Sequence, residues 1–371
     1  MEFSLNRDNL LKSLNHVNGI VEKKSTLPIL SNVLIEAFSS SVRLTSTDMD
    51  IVFIEEIKDV KILKEGSITT SASVFYEIVR KLNQGSKVDI GLVSESKLQL
   101  SSENSKFNLL CLPSNDFPLS NEDIKSNNYS IDGKKFLKLI NKTKFSISND
   151  ETRHYLNGIY LHKTKKEKNI FLTAVATDSH RLSICELPLE SDIEFEPIIL
   201  PKKTIFQLSS LLENYDDKIK ISNNKSKIKF QLKNSLLISK IIDGKFPDYN
   251  QVIPKNNEKI LEIEHKKFMT SVDRVISVSS DKKEGVKMNL NSNKIRLSVN
   301  NPNSGDGMEI VECKFNSNDL NISFNSRYLI DIASQLEGEK IEIYFKDSGS
   351  PALIKDPGDF DSIFVVMPMK G

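Results

Sequence analysis

The stretch ATDSHRL, Ala176 to Leu182, holds an acid, a hydroxyl, an imidazole and a guanidinium side by side. Asp178, Ser179 and His180 have the side-chain types of a hydrolytic triad, and the nearby Cys185 is a second candidate nucleophile. A small hydrolase built on these residues is one hypothesis. A triad, however, draws converging side chains from distant segments, whereas adjacent residues scatter around a turn. The stretch therefore also fits the edge of a docking site.

No other motif indicates catalysis or a bound cofactor. The sequence contains no GxSxG, P-loop, HExxH or EF-hand pattern, and its five histidines lack metal-ligand spacing. Its three cysteines lie far apart, which predicts buried thiols and no disulfide framework. We expect no cofactor, no metal and a cytoplasmic protein, because no apolar segment resembles a signal peptide or is long enough to span a membrane.

Composition and charge limit the class of protein. The chain has 371 residues, of which 38% are hydrophobic and 27% charged, and this balance is typical of a globular protein with two to four domains. The formal net charge is +1, which excludes a globally basic nucleic-acid binder. Any cationic surface must therefore be local and offset by acids elsewhere.

The elements that would position ATDSHRL follow a threefold repeat. From Phe3 the apolar residues alternate and then change to helical spacing, and the same change recurs from Tyr129 and from Leu261. A second strand and helix follow in each third, at 67–82, 197–212 and 321–336. The sequence predicts an α+β fold of three similar domains, each with two helices on antiparallel sheets. The predicted domains are 1–120, 128–248 and 249–371.

The free faces of these helices carry a second pattern. Lys135, Lys138 and Lys142 lie on one helical face, and no acid occurs from Gly133 to Asn149. A solvated surface explains any single helix, but recurrence in aligned helices favours one shared cationic surface. Cations without interleaved aromatic residues suit loose, salt-dependent contact with duplex phosphates. The residues predicted to face nucleic acid are Lys12, Arg80, Lys135, Lys138, Lys142, Lys202, Lys267 and Arg274.

The C-terminal stretch FVVMPMKG offers a second apolar surface. Phe364 to Val366 fit a last strand, and Pro368 should end it because proline cannot donate to a sheet. Flexible thioethers on both sides suit an adaptable contact surface. The segment GKFPDYNQVIP, 244–254, adds Pro247 and Val252, although both stretches also fit ordinary packing. A β-rich scaffold that binds no nucleic acid therefore remains a further hypothesis.

The order of ATDSHRL, GKFPDY and VVMPM, with TLPIL (26–30) and YLNG (155–158), resembles the bacterial sliding clamp family, the beta subunit of DNA polymerase III. The resemblance covers the whole chain. It implies a head-to-tail homodimer that closes as a ring around duplex DNA, with the helices lining the hole. It also implies a processivity factor and not an enzyme. The implied partners are the DNA polymerase III catalytic subunit, the clamp loader, and other polymerases and repair proteins with clamp-binding motifs.

The resemblance also assigns roles to residues. It places Lys24 in a loop that contacts DNA, and it pairs Phe107 and Leu109 with Ile276 and Val278 in the dimer interface, which would cover an apolar strand edge. It implies a peptide-binding pocket between the second and third domains, lined by Leu156, Thr177, Ser179, His180, Arg181, Leu182, Pro247, Val252, Tyr328, Val365, Met367, Pro368 and Met369.

The chain departs from the family pattern at three places near this pocket. Ser179 stands where the family often has Gly, and Gln251 stands where it often has Arg. The terminal pair is Lys370-Gly371 instead of the common Arg-Leu. These departures leave the preferred partner peptide open.

Overall fold

The computed structural model describes residues 1–22, 27–119, 124, 128–279 and 285–369. The chain packs as two compact units, one formed by Met1–Leu137 with Lys203–Ile241 and the other by Lys138–Lys202 with Ile242–Gly371. Each sheet lies within one unit. Among the described residues, no helix has the length and apolar character needed to cross a membrane.

The first third begins with a strand that leads directly into a helix. The side chain of Asn6 accepts a hydrogen bond from the Asp8 backbone N–H at 2.8 Å and caps that helix. The elements are β1 (Glu2–Asn6), α1 (Arg7–Asn18), β2 (Asn32–Ala37), β3 (Val42–Thr47), β4 (Ile51–Ile57), β5 (Val60–Lys64), β6 (Gly66–Ser71), α2 (Ala72–Lys81), β7 (Lys87–Ser94), β8 (Lys97–Ser102) and β9 (Ser105–Leu112).

The middle third repeats this arrangement. Asp132 ends its first strand and accepts a hydrogen bond from the Lys135 backbone N–H at 2.9 Å, so it fixes the first turn of the next helix. The elements are β10 (Tyr129–Asp132), α3 (Gly133–Lys144), β11 (Gly158–Lys166), β12 (Asn169–Thr177), β13 (Arg181–Pro188), β14 (Ile198–Pro201), α4 (Lys202–Leu212), β15 (Lys218–Asn223), β16 (Lys227–Gln231) and β17 (Ser235–Lys240).

The last third again pairs a strand with a helix twice. Asn325 caps its second helix, because its side chain accepts from the Arg327 backbone N–H at 3.0 Å. The elements are β18 (Lys259–Glu264), α5 (His265–Ile276), β19 (Gly285–Asn291), β20 (Lys294–Asn301), β21 (Gly305–Glu312), β22 (Lys314–Phe315), β23 (Leu320–Asn325), α6 (Ser326–Ala333), β24 (Lys340–Phe345), β25 (Ala352–Asp356) and β26 (Asp359–Val366).

The predicted repeat of strand and helix is confirmed. Helices α1, α3 and α5 are each 12 residues long and each follows a strand without a loop. Their apolar faces are buried, as at Leu14, Phe136 and Phe268, whose side chains are inaccessible to solvent. The α+β class with helices and antiparallel sheets is therefore correct. The boundaries at 120 and 249 stay a prediction.

Antiparallel pairing explains why the two units divide the middle third between them. In the first unit β17 pairs with β4, with Leu237 opposite Phe53, inside a 13-stranded sheet. In the second unit β13 pairs with β26 inside a 9-stranded sheet, and β19, β20, β21 and β23 form a separate 4-stranded sheet. The β13–β26 pair is the element that brings ATDSHRL beside the C-terminal stretch.

Candidate functional site

The ATDSHRL stretch is the tight turn between β12 and β13. One carboxylate oxygen of Asp178 accepts the backbone N–H groups of His180 and Arg181, both at 3.0 Å. The Thr177 hydroxyl donates to the Arg181 carbonyl at 2.7 Å and accepts from the Ser179 N–H at 3.1 Å. Asp178 therefore binds backbone N–H groups of its own turn and fixes the conformation of that turn.

The geometry does not assemble a hydrolytic site from these residues. The His180 side chain is exposed at the turn. Cys185 is buried, and burial raises the pKa of its thiol to about 12, so the reactive thiolate is suppressed at neutral pH. Within the described ranges, no group of three or more His, Cys, Asp or Glu side chains could hold a metal ion.

Arg181 lies under the turn and not on its surface. Its guanidinium donates to Asp178 at 3.0 Å and to Asp331 at 2.6 Å, and it also bonds the Phe145 carbonyl. It stacks over the Tyr328 ring, 4.4 Å from the centroid. Because Arg181 is buried and its guanidinium bonds groups on both the turn and α6, it holds the turn against α6. Tyr328, on which it stacks, is half-buried.

The predicted pocket residues of the strands form an apolar floor. Leu182 on β13 lies opposite Val365 on β26, and both join Leu156 in one buried cluster. Phe246 and Ile184 belong to the same cluster and were missed in the sequence. Ile184 is two residues beyond Leu182 on the same strand face, and this spacing is the signal that could have found it.

The terminal stretch forms one rim of this floor. β26 ends at Val366, as the proline at 368 predicts. The Met367 N–H donates to the His180 carbonyl and the Met369 N–H to the Ser323 carbonyl, both at 2.8 Å. The thioether side chains remain 42% and 40% exposed. The main chain therefore fixes two methionines whose side chains stay available for contact.

The segment 246–253 forms the opposite rim. Phe246, Tyr249 and Ile253 pack on the buried cluster. Between them Pro247 and Val252 are exposed. The floor and the two rims together form a groove, called the docking groove. Its residues are Leu156, Thr177, Leu182, Pro247, Val252, Val365, Met367, Pro368 and Met369.

Ser179 has a structural role at the edge of the docking groove. Its φ is +76°, the left-handed region where Gly carries no steric penalty. Its hydroxyl accepts a hydrogen bond from Arg153 at 2.6 Å, while Arg153 also bonds Asp150 at 2.8 Å. Hydrogen bonds from Thr152 and Arg153 lower the pKa of Asp150. The serine thus ties the turn to the 149–153 loop, which a glycine could not do.

The predicted nucleic-acid-facing cations fall into two groups. Lys12, Lys135 and Lys267 are exposed on α1, α3 and α5. The rest are bonded: Arg80 pairs with Glu77 at 2.7 Å, Arg274 pairs with Glu309, and Lys202 bonds the Asn149 side chain. Lys24 lies outside the described residues.

The prediction that Lys142 faces nucleic acid is wrong. Lys142 is 3% exposed, and its ammonium lies 2.9 Å from Asp359 and 3.2 Å from Glu337. Lys138, one helical turn earlier, lies 3.0 Å from the other Asp359 oxygen and is only partly exposed. Both lysines bind acidic residues of the last third of the chain, so carboxylates within the fold largely neutralise their charge.

The same helical position has this role in all three repeats. His16 on α1 lies 3.1 Å from Glu55, and Arg274 on α5 lies 2.5 Å from Glu309. Lys142 is their equivalent on α3. In the last turn of α1, α3 and α5, a basic side chain thus pairs with an acidic residue of a strand. The recurring cations in the sequence therefore partly reflect these internal pairs and not a free cationic face.

The predicted dimer residues lie beside strand edges. β9 pairs with β8 from Ser105 to Leu110, whereas on its other side only Cys111 and Leu112 pair with β6. Phe107 is half-buried and Leu109 is 4% exposed, so both point inward. The strongly exposed apolar side chain of this strand is Leu110, at 81%, which the sequence interpretation missed.

The second predicted edge shows the same alternation. Ile276, at the end of α5, is buried, and Val278 is half-buried against the core. In the part of the chain that the structure describes, β21 pairs with β20 alone and is the last strand of its sheet. Its exposed apolar residues are Met308 and Ile310, neither of which was predicted.

Comparisons with known proteins agree with this architecture. Family models of the DNA polymerase III beta subunit match residues 1–121 (N-terminal domain), 130–248 (central domain) and 250–370 (C-terminal domain). The beta sliding clamp of Caulobacter vibrioides is 38% identical over 372 residues, covering 100% of both chains. The Bartonella birtlesii sliding clamp bound to griselimycin superposes with a TM-score of 0.94 at 38% identity, covering 100% of both chains. The Caulobacter crescentus clamp also gives 0.94 at 38% identity, covering 100% of this chain and 99% of that one. The chain therefore belongs to the DNA polymerase III beta subunit family, the beta sliding clamps.

Proposed function

We propose that two copies of the chain close head to tail around duplex DNA and tether replication and repair proteins through the docking groove. The partners are the DNA polymerase III catalytic subunit, the clamp loader, and other polymerases and repair proteins that carry clamp-binding motifs. The protein acts as a processivity factor and catalyses no reaction. A closed ring stays on DNA without tight contacts, and tethering raises the local concentration of polymerase at the primer end.

The docking groove is the observation that carries this proposal. Its floor of Leu182 and Val365 is buried, while the thioethers of Met367 and Met369 stay exposed on a hydrogen-bonded main chain. Each apolar anchor of a partner peptide contributes roughly 1.5–3 kcal/mol on full burial. A few such anchors give affinities in the range that suits exchangeable partners.

The exposed helix cations support loose contact with DNA. Lys12, Lys135 and Lys267 project from equivalent helices, and each can contact a phosphate without reading sequence. Because most of the other helix cations are bonded to neighbouring side chains, we expect few phosphate contacts for each copy. Few contacts permit sliding, and the ring supplies the retention that these contacts lack.

The strand edges support the head-to-tail dimer. Among the described strands, β9 pairs only with β8 from Ser105 to Leu110, and β21 pairs only with β20. Leu110 on β9, and Met308 and Ile310 on β21, are exposed apolar side chains. Exposed apolar edges favour self-association, and two different edges on one chain fit a head-to-tail contact.

Retention on circular DNA tests the function. The protein, assembled on nicked circular DNA by a clamp loader and ATP, is expected to co-elute with the circle during gel filtration. It should dissociate within minutes when a restriction enzyme makes the DNA linear, because a ring slides off free ends. Equal retention on both forms would indicate ordinary DNA binding and overturn the proposal.

Charge reversal of the exposed helix cations is expected to weaken this contact. Lys135→Glu with Lys267→Glu should shorten the lifetime on circular DNA at low salt about tenfold and reduce the salt slope of binding by about 0.9 for each lost phosphate contact. The matched control is Lys58→Glu with Lys220→Glu, which changes two exposed lysines outside the helices by the same charge. An equal effect of both pairs would argue against helix-borne contacts.

Dimer formation is expected to depend on the exposed edge of β9. Leu110→Lys should raise the dimer dissociation constant at least tenfold, because a charge on the edge opposes strand pairing. Sedimentation equilibrium measures the constant. Leu63→Lys is the matched control, since Leu63 is also an exposed leucine on a strand. A dimer that resists Leu110→Lys would place the contact elsewhere.

A further inference from the structure

A cavity of about 560 Å³ lies in the second unit between the sheet and the segment 245–250. Its walls come from β11, β13 and β26 and include His162, Glu186 and Ile363. This volume falls in the range of ligand-binding cavities. The cavity shares Pro247 with the docking groove, and Ile184 and Phe246 with the buried cluster below the groove, so the two compartments adjoin.

The cavity continues the docking groove along the same face of the same sheet. Residues directly opposite on antiparallel strands share a face, and so do residues two apart on one strand. Three successive rows therefore lead from groove to cavity: Thr177, Leu182 and Val365; then Tyr160, Val175, Ile184 and Ile363; then His162, Thr173 and Glu186. From Leu182 to Glu186 the path is about 13 Å, the span of four extended residues.

Aromatic rings line this second compartment. Tyr160 stacks on Phe246 at 5.0 Å between centroids and on His162 at 4.4 Å. His162 Nε2 lies 3.0 Å from the Tyr249 hydroxyl, and burial lowers the pKa of His162 to about 4, so the ring is neutral at physiological pH. The aromatic part of the wall is therefore uncharged, flat and suited to another ring.

The rim carries an exposed aromatic residue and unpaired cations. Phe360 is 89% exposed, more than any other large apolar side chain in the described residues. Of the charged side chains that line the cavity, Lys166 is bonded to Glu186 and Asp248 is bonded to Asn250 and Gln251 of its own turn. Lys165, Lys245 and Asp361 form no ion pair within the residues that the structure describes. Two unpaired cations against one unpaired carboxylate leave a positive excess beside the aromatic patch, which fits an aromatic side chain with an acidic neighbour.

We propose that this cavity binds the residues that flank the docking motif of a partner protein, namely an aromatic side chain with an adjacent acid, about four residues from the motif. The inference rests on the proposed function, because the docking motif must first occupy the docking groove. The cavity then distinguishes partners that share the same motif: those with an aromatic and acidic flank bind more tightly.

Fluorescence anisotropy with labelled peptides tests this proposal on the full-length protein. The core probe is the clamp-binding motif of the DNA polymerase III catalytic subunit. Four longer probes carry Ser-Glu-Phe-Glu or Ser-Gly-Ser-Gly at either end. When the extension is at the end of the core peptide that lies nearer the cavity, the Ser-Glu-Phe-Glu probe should bind about tenfold more tightly than the Ser-Gly-Ser-Gly probe extended at the same end.

Variants locate this gain. Phe360→Ser and Lys245→Glu should each remove most of the gain and leave the affinity for the core probe unchanged, while Val93→Ser, at another exposed apolar residue, should change neither. Equal affinities of both kinds of extension at both ends, or a gain that survives Phe360→Ser with Lys245→Glu, would overturn the proposal. Failure of the core probe to bind would instead contradict the proposed function.

Discussion

Replacement of Met367 and Met369 by Ala is expected to weaken binding of the polymerase docking peptide at least 100-fold. Both thioethers form the exposed rim of the docking groove, and removing two apolar contact surfaces of roughly 1.5 kcal/mol each corresponds to this factor. Fluorescence anisotropy or calorimetry with the isolated peptide measures the dissociation constant directly.

The main chain should keep its place in this double variant. The backbone N–H groups of both residues still donate to the carbonyls of His180 and Ser323. We therefore expect the thermal unfolding midpoint and the dimer state to stay unchanged. Met49→Ala is the matched control, because Met49 is a similarly exposed methionine away from the groove. A dissociation constant within threefold of the original would show that the peptide binds elsewhere.

Much of the fold could be predicted because its signals are local. The change from alternating to helical apolar spacing at Asn6, Asp132 and Glu264 marks each junction of strand and helix within a few residues. Polar caps such as Asn6 and Asp132 reinforce the same boundary. Local propensity, capping and burial agree at these points, so the strands and helices can be predicted from a single sequence.

The pairings that complete the site could not be predicted from local patterns. Lys138 and Asp359 are separated by 221 positions, and nothing near either residue indicates the other. The lysines of α3 therefore resembled a free cationic face. Only the pairing of β13 with β26 brings the last strand close enough to bind them. Long-range antiparallel register thus decides which cations remain available for DNA.

Local patterns also failed to predict which face of a strand is buried. Leu109 and Leu110 are equally apolar, yet a shift of one residue places one in the core and the other in solvent. The sequence of β9 does not say which face the sheet will cover. The family motifs, in contrast, located the ATDSHRL turn and the C-terminal rim correctly as neighbours, because the order of motifs carries long-range information that periodicity lacks.

Loss of the Asp359 carboxylate is the second change with a large expected effect. Asp359→Asn should lower the free energy of unfolding of the second unit by about 3 kcal/mol, because it leaves the buried Lys142 ammonium without its main counter-charge. Urea denaturation followed by tyrosine fluorescence measures this, since the chain has no tryptophan. Asp361→Asn, two residues along and exposed, is the matched control.

The pH dependence of this effect has a definite sign. Burial raises the pKa of Asp359, but hydrogen bonds from Lys142 and Lys138 outweigh it and lower the pKa to about 2. An unfolded Asp titrates near about 3.9. The carboxylate therefore stabilises the fold fully above that value, and its contribution is lost as the pH falls through 2. The difference between Asp359→Asn and the original protein should be constant from pH 5 to 8 and shrink below pH 4. A difference independent of pH down to 2, or one equal to that of Asp361→Asn, would mean that the ion pair does not stabilise the second unit.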